Sequence, residues 1–208
     1  SEEEKSKGVV CSSAGNHAQG VAYAANLLGV NSTIVMPKNT PYLKILSTQN
    51  FGGNVVLHGT CYDDAYLKAK SIESENDSVF IHPFNDINVI YGQGTIALEL
   101  FEDLNDLDVI ICPIGGGGLI SGISLAAKEI NPKIKIIGVQ AEGANAMEQS
   151  YKLGKIVSLS SVNTIADGIA VKSPGELTYS LIREYVDKIV TVSDKEIAEA
   201  FLILCEKH

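Results

Sequence analysis

Short apolar runs rich in valine and isoleucine recur along the chain, and between them apolar positions fall three and four residues apart. The first pattern suits strands buried in a sheet, the second helices with one face against a core. Strands are predicted over residues 8–12, 32–37, 54–58, 79–83, 109–113, 135–140 and 188–192. Helices are predicted over 16–28, 41–50, 63–75, 89–104, 119–130, 144–153 and 176–186. Thr40-Pro41 reads as an N-cap followed by proline at the first helical position, and Ser193-x-x-Glu196 as a capping box opening a last helix. Residues 1–7 read as a charged leader, 85–88 as a connection, and 154–174 carry little regular signal. Strands alternating with helices on this scale imply parallel strands joined by right-handed crossovers, an α/β fold with helices on both faces. Helical quality breaks near Asn85, which makes that region the candidate domain boundary.

Composition narrows the partners. The 208 residues carry a formal net charge of −9 and no basic run, which argues against nucleic acid. No apolar stretch approaches the ~20 residues of a membrane helix. The four cysteines (Cys11, Cys61, Cys112, Cys205) are scattered without a C-x-x-C pair, and three lie in or beside apolar segments, where buried reduced thiols are expected. A reducing, cytoplasmic compartment follows, although the chain opens Ser1-Glu-Glu-Glu-Lys without an initiator methionine, which leaves room for an organellar targeting segment upstream. Asp63-Asp64 reads as the acidic first turn of a helix, Glu73 and Glu75 as a solvated face. His58, His82 and His208 form no metal-ligand spacing with the cysteines.

Two loops at predicted strand ends carry chemistry. After Val109-Ile-Ile-Cys-Pro113, Gly115, Gly116, Gly117 and Gly118 lead into a helix. Bare amides at a helix N-terminus suit an anion, most often phosphate. The alternative is a tight strand-to-helix turn with glycines kept for packing, which one glycine would satisfy. The pattern is neither a P-loop, because Ile123 follows Gly122, nor G-x-G-x-x-G, because Ile120 stands third, so a single small phosphate is more plausible than a nucleotide. The second loop, Cys11-Ser-Ser-Ala-Gly-Asn-His-Ala-Gln-Gly20, gathers Ser13, Asn16 and His17 around Gly15 at a helix start, a set suited to a carboxylate or a polar ring substituent. An ordinary N-cap by Ser13 or Asn16, and a packed, hydrogen-bonded His17, are the plainer readings.

Together Ser13-Ala-Gly-Asn-His-Ala-Gln-Gly20, His82-Pro-Phe84, Gly92-Gln-Gly-Thr-Ile96, Pro113-Ile-Gly-Gly-Gly-Gly-Leu119 and Thr164-Ile-Ala-Asp-Gly168 resemble the threonine dehydratases (serine/threonine ammonia-lyases), with serine racemase a close relative. These are fold-type II pyridoxal phosphate (PLP) enzymes. The resemblance covers essentially the whole chain. It implies two open, mainly parallel twisted sheets of the tryptophan-synthase-β kind: a small substrate-loop domain over 8–85 and part of a large PLP-phosphate domain over 86–208. It implies that the amides of Gly115, Gly116, Gly117, Gly118 and Leu119 hold the PLP phosphate, and that Asn16 bonds the ring hydroxyl. It further implies that Ser13, Ala14, Gly15, Asn16 and His17 close on the substrate carboxylate, and that residues 164–168, Gly168 included, support the cofactor. The activity implied is dehydration and deamination of L-threonine or L-serine to a 2-oxo acid and ammonia, within amino-acid metabolism such as isoleucine biosynthesis. Homo-oligomers are common in the family.

The match breaks in places. The family's Schiff-base lysine lies in a Ser-Phe-Lys-x-Arg-Gly segment, about thirty residues before the Ser-x-Gly-Asn-His loop. Only twelve residues precede Ser13, and Lys5 and Lys7 lack that pattern. The glycine-rich segment near the family C-terminus is missing too. No catalytic residue is therefore assigned in this chain, which alone is expected to be inactive. Racemase resemblance would place a serine at position 14, where Ala14 has no proton to exchange, and acids at positions held by Gln140 and Ala146. Dehydration is thus favoured, with no metal expected. The competing readings are serine racemase-type activity and a non-catalytic PLP- or small-anion-binding module that retains the fold.

Overall fold

The computed structural model describes residues 1–104 and 106–207, and its backbone contacts divide the chain into two units, Ser1–Pro83 and Phe84–His208. His208, read above as lacking ligand spacing, lies outside the described residues.

In the first unit the order is α1 (Glu2–Lys7), β1 (Val9–Ser12), α2 (Asn16–Leu27), β2 (Ser32–Met36), α3 (Tyr42–Asn50), β3 (Asn54–Leu57), α4 (Tyr62–Asn76) and β4 (Val79–Phe80). The strands form one parallel sheet ordered β3-β2-β1-β4, with Val9 opposite Ser32 on one side and Val79 on the other. Alternation along β1 and β2 splits the core by face. Val10 and Val35 pack with Ala65, Ala69 and Ile72 of α4, while Cys11, Ile34 and Met36 pack with Ala18 of α2 and Ile45 of α3. Helices thus cover both faces of this sheet, as the strand–helix alternation requires.

Local departures from expectation have local causes. The charged leader is helical because Ser1 and Glu4 form a reciprocal capping box and Lys7 reaches Asp77 at 2.8 Å. Pro41 itself occupies the N-cap, with ψ 135, so Thr40 falls in the preceding turn and caps nothing. The fourth strand ends at Phe80, although the Ile81 N–H still donates to the Val10 carbonyl at 2.8 Å. Pro83 has no N–H with which to extend the ladder.

The second unit runs α5 (Ile87–Asp103), β5 (Val109–Pro113), α6 (Gly118–Ile130), β6 (Lys135–Ala141), α7 (Ala146–Leu153), α8 (Glu176–Tyr185), β7 (Lys188–Val192) and α9 (Asp194–Lys207). Short 3₁₀ turns lie at Glu142–Ala144 and Asp167–Ile169. The supposed connection at 85–88 contains the start of α5, because Asp86 caps it by accepting from the amides of Asn88 (2.8 Å) and Val89 (3.4 Å). Residues 142–145 form the 3₁₀ turn and a joint, so α7 begins two residues later than predicted. The sheet is parallel, ordered β5-β6-β7. Ile110, Cys112, Ile136 and Ile189 share one of its faces and build the core with Ile120 and Ile123 of α6, Met147 of α7 and Ile182 of α8. On the alternate positions of β5, Ile111 is 67% exposed.

Of the two glycines within α5, Gly94 has a packing reason. A Cβ on Gly94 would stand 3.1 Å from the Gly122 carbonyl oxygen, and one on Gly122 would stand 2.6 Å from the Gly94 amide nitrogen and collide with the Ile90 carbonyl. Backbone meets backbone where α5 and α6 pack.

Cysteine burial is divided. Cys11 and Cys112 are buried, and burial pushes both thiols up to about 12, whereas Cys61 and Cys205 are exposed. Cys205 fails the expectation of burial because α9 has no buried residue, Phe201 and Leu202 included.

Asp187, between α8 and β7, ties the second unit together. Its carboxylate accepts from Lys128 Nζ (2.8 Å), Lys135 Nζ (3.0 Å) and the Ile136 amide (2.9 Å), and Lys128 also donates to the Ile134 carbonyl. Partial burial would raise the carboxyl's pKa, but the two ammonium groups and the amide outweigh it and hold the group well below its ordinary 3.8. A depressed folded-state value stabilises the fold above pH 3.8 and loses that contribution as pH falls toward the folded value. Asp187→Asn should therefore cost about 1–2 kcal/mol at pH 7, the lower end allowing for the solvent that reaches the side chain. The gap between wild-type and variant urea midpoints should narrow below about pH 4; an equal gap at pH 7 and pH 3 would rule the charge out as its source.

Candidate functional site

The glycine loop is suspended from the sheet by the Ile114 amide, which donates to the Val139 carbonyl at 2.8 Å. Gly117 caps α6 with φ +100 and ψ −3, a left-handed conformation open to glycine, and the first helical bond runs from the Ser121 amide to the Gly117 carbonyl at 3.0 Å. Among the described residues of this unit, no carbonyl accepts from the amides of Gly115 through Ile120. Six successive N–H groups thus gather at the positive end of a 13-residue helix, with a left-handed residue leading into it. That is the donor set of a backbone nest for an anion, and it fits a phosphate.

Each of the four glycines also has a packing neighbour, so the premise that one glycine would satisfy a packing role does not hold. A Cβ on Gly115 would lie 3.2 Å from Ile169 Cα, one on Gly116 would overlap the Phe84 ring, one on Gly117 would lie 2.9 Å from Ile182, Met147 and Thr178, and one on Gly118 would lie 2.9 Å from Phe84 Cα. Steric need and ligand approach coexist here: the missing side chains make room for the protein, and the N–H groups have no backbone acceptor among the described residues.

The loop's supports come largely from residues that carried no signal in the sequence. Thr178 is fully buried in the first turn of α8, and its hydroxyl donates to the Gly116 carbonyl at 2.7 Å, with the Gly175 carbonyl at 3.1 Å. Asn85 Oδ1 accepts from the Leu177 amide at 3.0 Å and so caps α8 in place of Gly175, which has no side chain. Phe84 was visible only as part of a motif. Thr178, one polar residue on an amphipathic helix, had no distinguishing pattern.

In the first unit, β1 delivers the Ser13–His17 loop. The Ser13 hydroxyl accepts from the Gly15 amide at 3.2 Å, a local turn, and Gly15 occupies the N-cap of α2 with no side-chain bond. Neither Ser13 nor Asn16 caps the helix, so the plain N-cap reading fails. His17 Nε2 lies 3.1 Å from the Ile81 carbonyl. A carbonyl only accepts, so Nε2 carries the proton, which bears out a hydrogen-bonded histidine. Ala14 and Gly15 are half-buried, and the exposed Asn16 lines an open recess of about 520 Å³ with Gln19, Gly20, Tyr23 and Phe51. His82 sits edge-on to Phe80 and Tyr66, and Asp64 lies in the acidic first turn of α4, accepting from the Thr60 amide.

Residues 164–168 are anchored in the second unit. Thr164 donates to Asp194 Oδ1 at 2.5 Å and accepts from the Ala166 amide, while the Ile165 amide donates to Asp194 Oδ2. Gly168 is followed directly by Ile169, the neighbour of Gly115, and nothing stands within 4 Å of its own Cβ position. Gln140 is buried with its carboxamide engaged, donating to the Ile114 and Ala144 carbonyls at 3.2 Å and accepting from the Glu148 amide at 2.8 Å.

Comparison with known proteins extends these observations. The family described as "Pyridoxal-phosphate dependent enzyme" matches residues 1–208. An L-threonine ammonia-lyase of Thermotoga maritima is 52% identical over 207 residues, which is 100% of this chain and 52% of the relative; the chain spans about half the length of such curated relatives. Among solved structures, the processed form of threonine deaminase isoform 2 from Solanum lycopersicum superposes with a TM-score of 0.95 at 43% identity, covering 100% of this chain and 57% of that one. Maize serine racemase gives 0.93 at 43% identity, covering 98% and 61%. No described helix is long and apolar enough to cross a membrane.

Proposed function

The chain belongs to the pyridoxal-phosphate dependent enzymes, and on that footing we propose that the full-length protein deaminates L-threonine or L-serine to a 2-oxo acid, the β-hydroxyl leaving as water and one water being taken back as ammonia is released. The observation that carries the reading is the run of six amides at the start of α6 that have no backbone acceptor among the described residues, a donor set for the cofactor's phosphate. PLP, when bound, supplies the electron sink that makes Cα–H acidic and eases loss of the β-hydroxyl. The chain's own groups bind and orient. The amides of Gly115 to Leu119 hold the phosphate, and Gly168 and its neighbours support the cofactor. The Ser13–His17 loop takes the substrate carboxylate with backbone amides and the Ser13 hydroxyl, and the Asn16 carboxamide bonds the ring hydroxyl.

Similarity to serine racemases keeps a second activity in view, but Ala14 has no titratable atom with which to move a proton on the opposite face of the substrate. Elimination is therefore favoured over inversion. The test is product analysis of the full-length protein with L-threonine, L-serine and D-serine. The expected result is 2-oxobutanoate from L-threonine and pyruvate from L-serine, with little interconversion of the serine enantiomers. Faster interconversion than elimination would overturn the assignment, and no turnover with any of them would favour a non-catalytic binding module. The 208-residue chain alone, which lacks the family's lysine pattern, is expected to release no 2-oxobutanoate, and measurable turnover by it would refute that.

A further inference from the structure

We infer that Thr178 is a positioning residue of the phosphate cradle, setting the direction in which the Gly117 amide donates; the inference rests on the PLP reading above. In a trans peptide the carbonyl of one residue and the N–H of the next point in opposite directions across a rigid plane. The Gly116–Gly117 peptide is trans, so the Gly116 carbonyl and the Gly117 N–H are locked in that opposition. The Thr178 hydroxyl grips the Gly116 carbonyl at 2.7 Å from a fully buried position. The Gly117 N–H is thereby turned away from α8.

Among the described residues no other donor reaches the Gly116 carbonyl. A glycine pair has no side chain to restrict rotation, and Gly117 already occupies a conformation far from the helical one. Without the hydroxyl, the Gly116–Gly117 peptide can flip, presenting a carbonyl oxygen where the cradle needs a donor. Thr178 in turn is fixed from both sides. Asn85 caps the turn it stands on through the Leu177 amide at 3.0 Å, and the Ser121 hydroxyl of α6 donates to the Thr178 carbonyl at 3.4 Å. The cradle's geometry is therefore set by α8, a helix that supplies none of its donors.

The experiment uses full-length protein, with PLP and pyridoxal, which lacks the phosphate, as paired probes. Thr178→Val keeps the shape and deletes the hydroxyl, and Thr178→Ser keeps the hydroxyl. For Thr178→Val the apparent Kd for PLP should rise about tenfold or more, the scale of one charge-assisted hydrogen bond, while that for pyridoxal stays within about twofold. Thr178→Ser should restore most of the PLP affinity, and the ³¹P resonance of the bound phosphate should shift in the valine variant alone. Equal weakening of both probes, or a valine variant that binds PLP like wild type, would overturn the inference. If the valine variant does not fold, the serine variant decides: weakening for PLP and pyridoxal alike then counts against it. Failure of wild-type protein to prefer PLP over pyridoxal would instead sink the underlying phosphate reading.

Discussion

Gly122→Ala should cost at least about 3 kcal/mol and leave the protein largely unfolded or insoluble. The added methyl would stand against the backbone of α5, colliding with the Ile90 carbonyl, 2.6 Å from the Gly94 amide nitrogen and 3.0 Å from the Gln93 carbonyl carbon. Backbone atoms cannot rotate away as a flexible side chain can, so α5 and α6 would have to separate and open the core that Ala97, Ile120 and Ile123 share. Against a total stability of roughly 5–15 kcal/mol, that loss is large. Gly92→Ala in the same helix is the control. Nothing lies within 4 Å of its Cβ position, so relief from glycine's poor helix propensity should stabilise by about 0.5–1 kcal/mol. Urea melts of both variants check the pair, and a mild effect at Gly122 would mean the helices separate more cheaply than their contact implies.

Gly116→Ala should abolish cofactor binding with less effect on the fold. Its methyl would overlap the Phe84 ring, so the ring and the loop must move apart. Displacing the Gly116–Gly117 peptide removes at least two amides from the phosphate, and PLP affinity should fall about 100-fold or more. Phe84→Ala in the same chain vacates the space the methyl needs and should return part of the affinity, a coupling measurable as a double-mutant cycle. Titration by absorbance reads the outcome; a Gly116→Ala protein that binds PLP normally would show that this peptide is not in the phosphate's coordination.

The succession of strands and helices was legible because apolar periodicity is a local property. So was the glycine loop, since four glycines after a β-branched run are unusual in any context. What could not be read is why the loop holds its form, because Phe84, Ile169 and Thr178 approach it from distant parts of the chain. Gln140 shows the same limit: as a letter it was the neutral stand-in for a metal-ligating acid, whereas in the fold its three hydrogen bonds join β6 to the loop and to α7. Ser13 misled in the opposite direction. Its type and place suit an N-cap, but the turn at Gly15 claims the hydroxyl first. The helix in residues 1–7 was missed because charge density obscured a capping box that the sequence does contain.

The strand order of the first unit also bears on how the chain acquires its fold. β1 is flanked by β2 and β4, and Val9 finds its second partner only at Val79. Loop-closure entropy has to be met before such distant pairings form, so ladder assembly is slow beside the helices, which form within microseconds. During synthesis from the N-terminal end, the central strand has one bare edge until residues 79–80 have left the ribosome. Exposed edges of apolar strands are templates for pairing with other chains. That interval, rather than the finished fold, is when this protein is most open to misassembly and when a chaperone that shields strand edges would matter most.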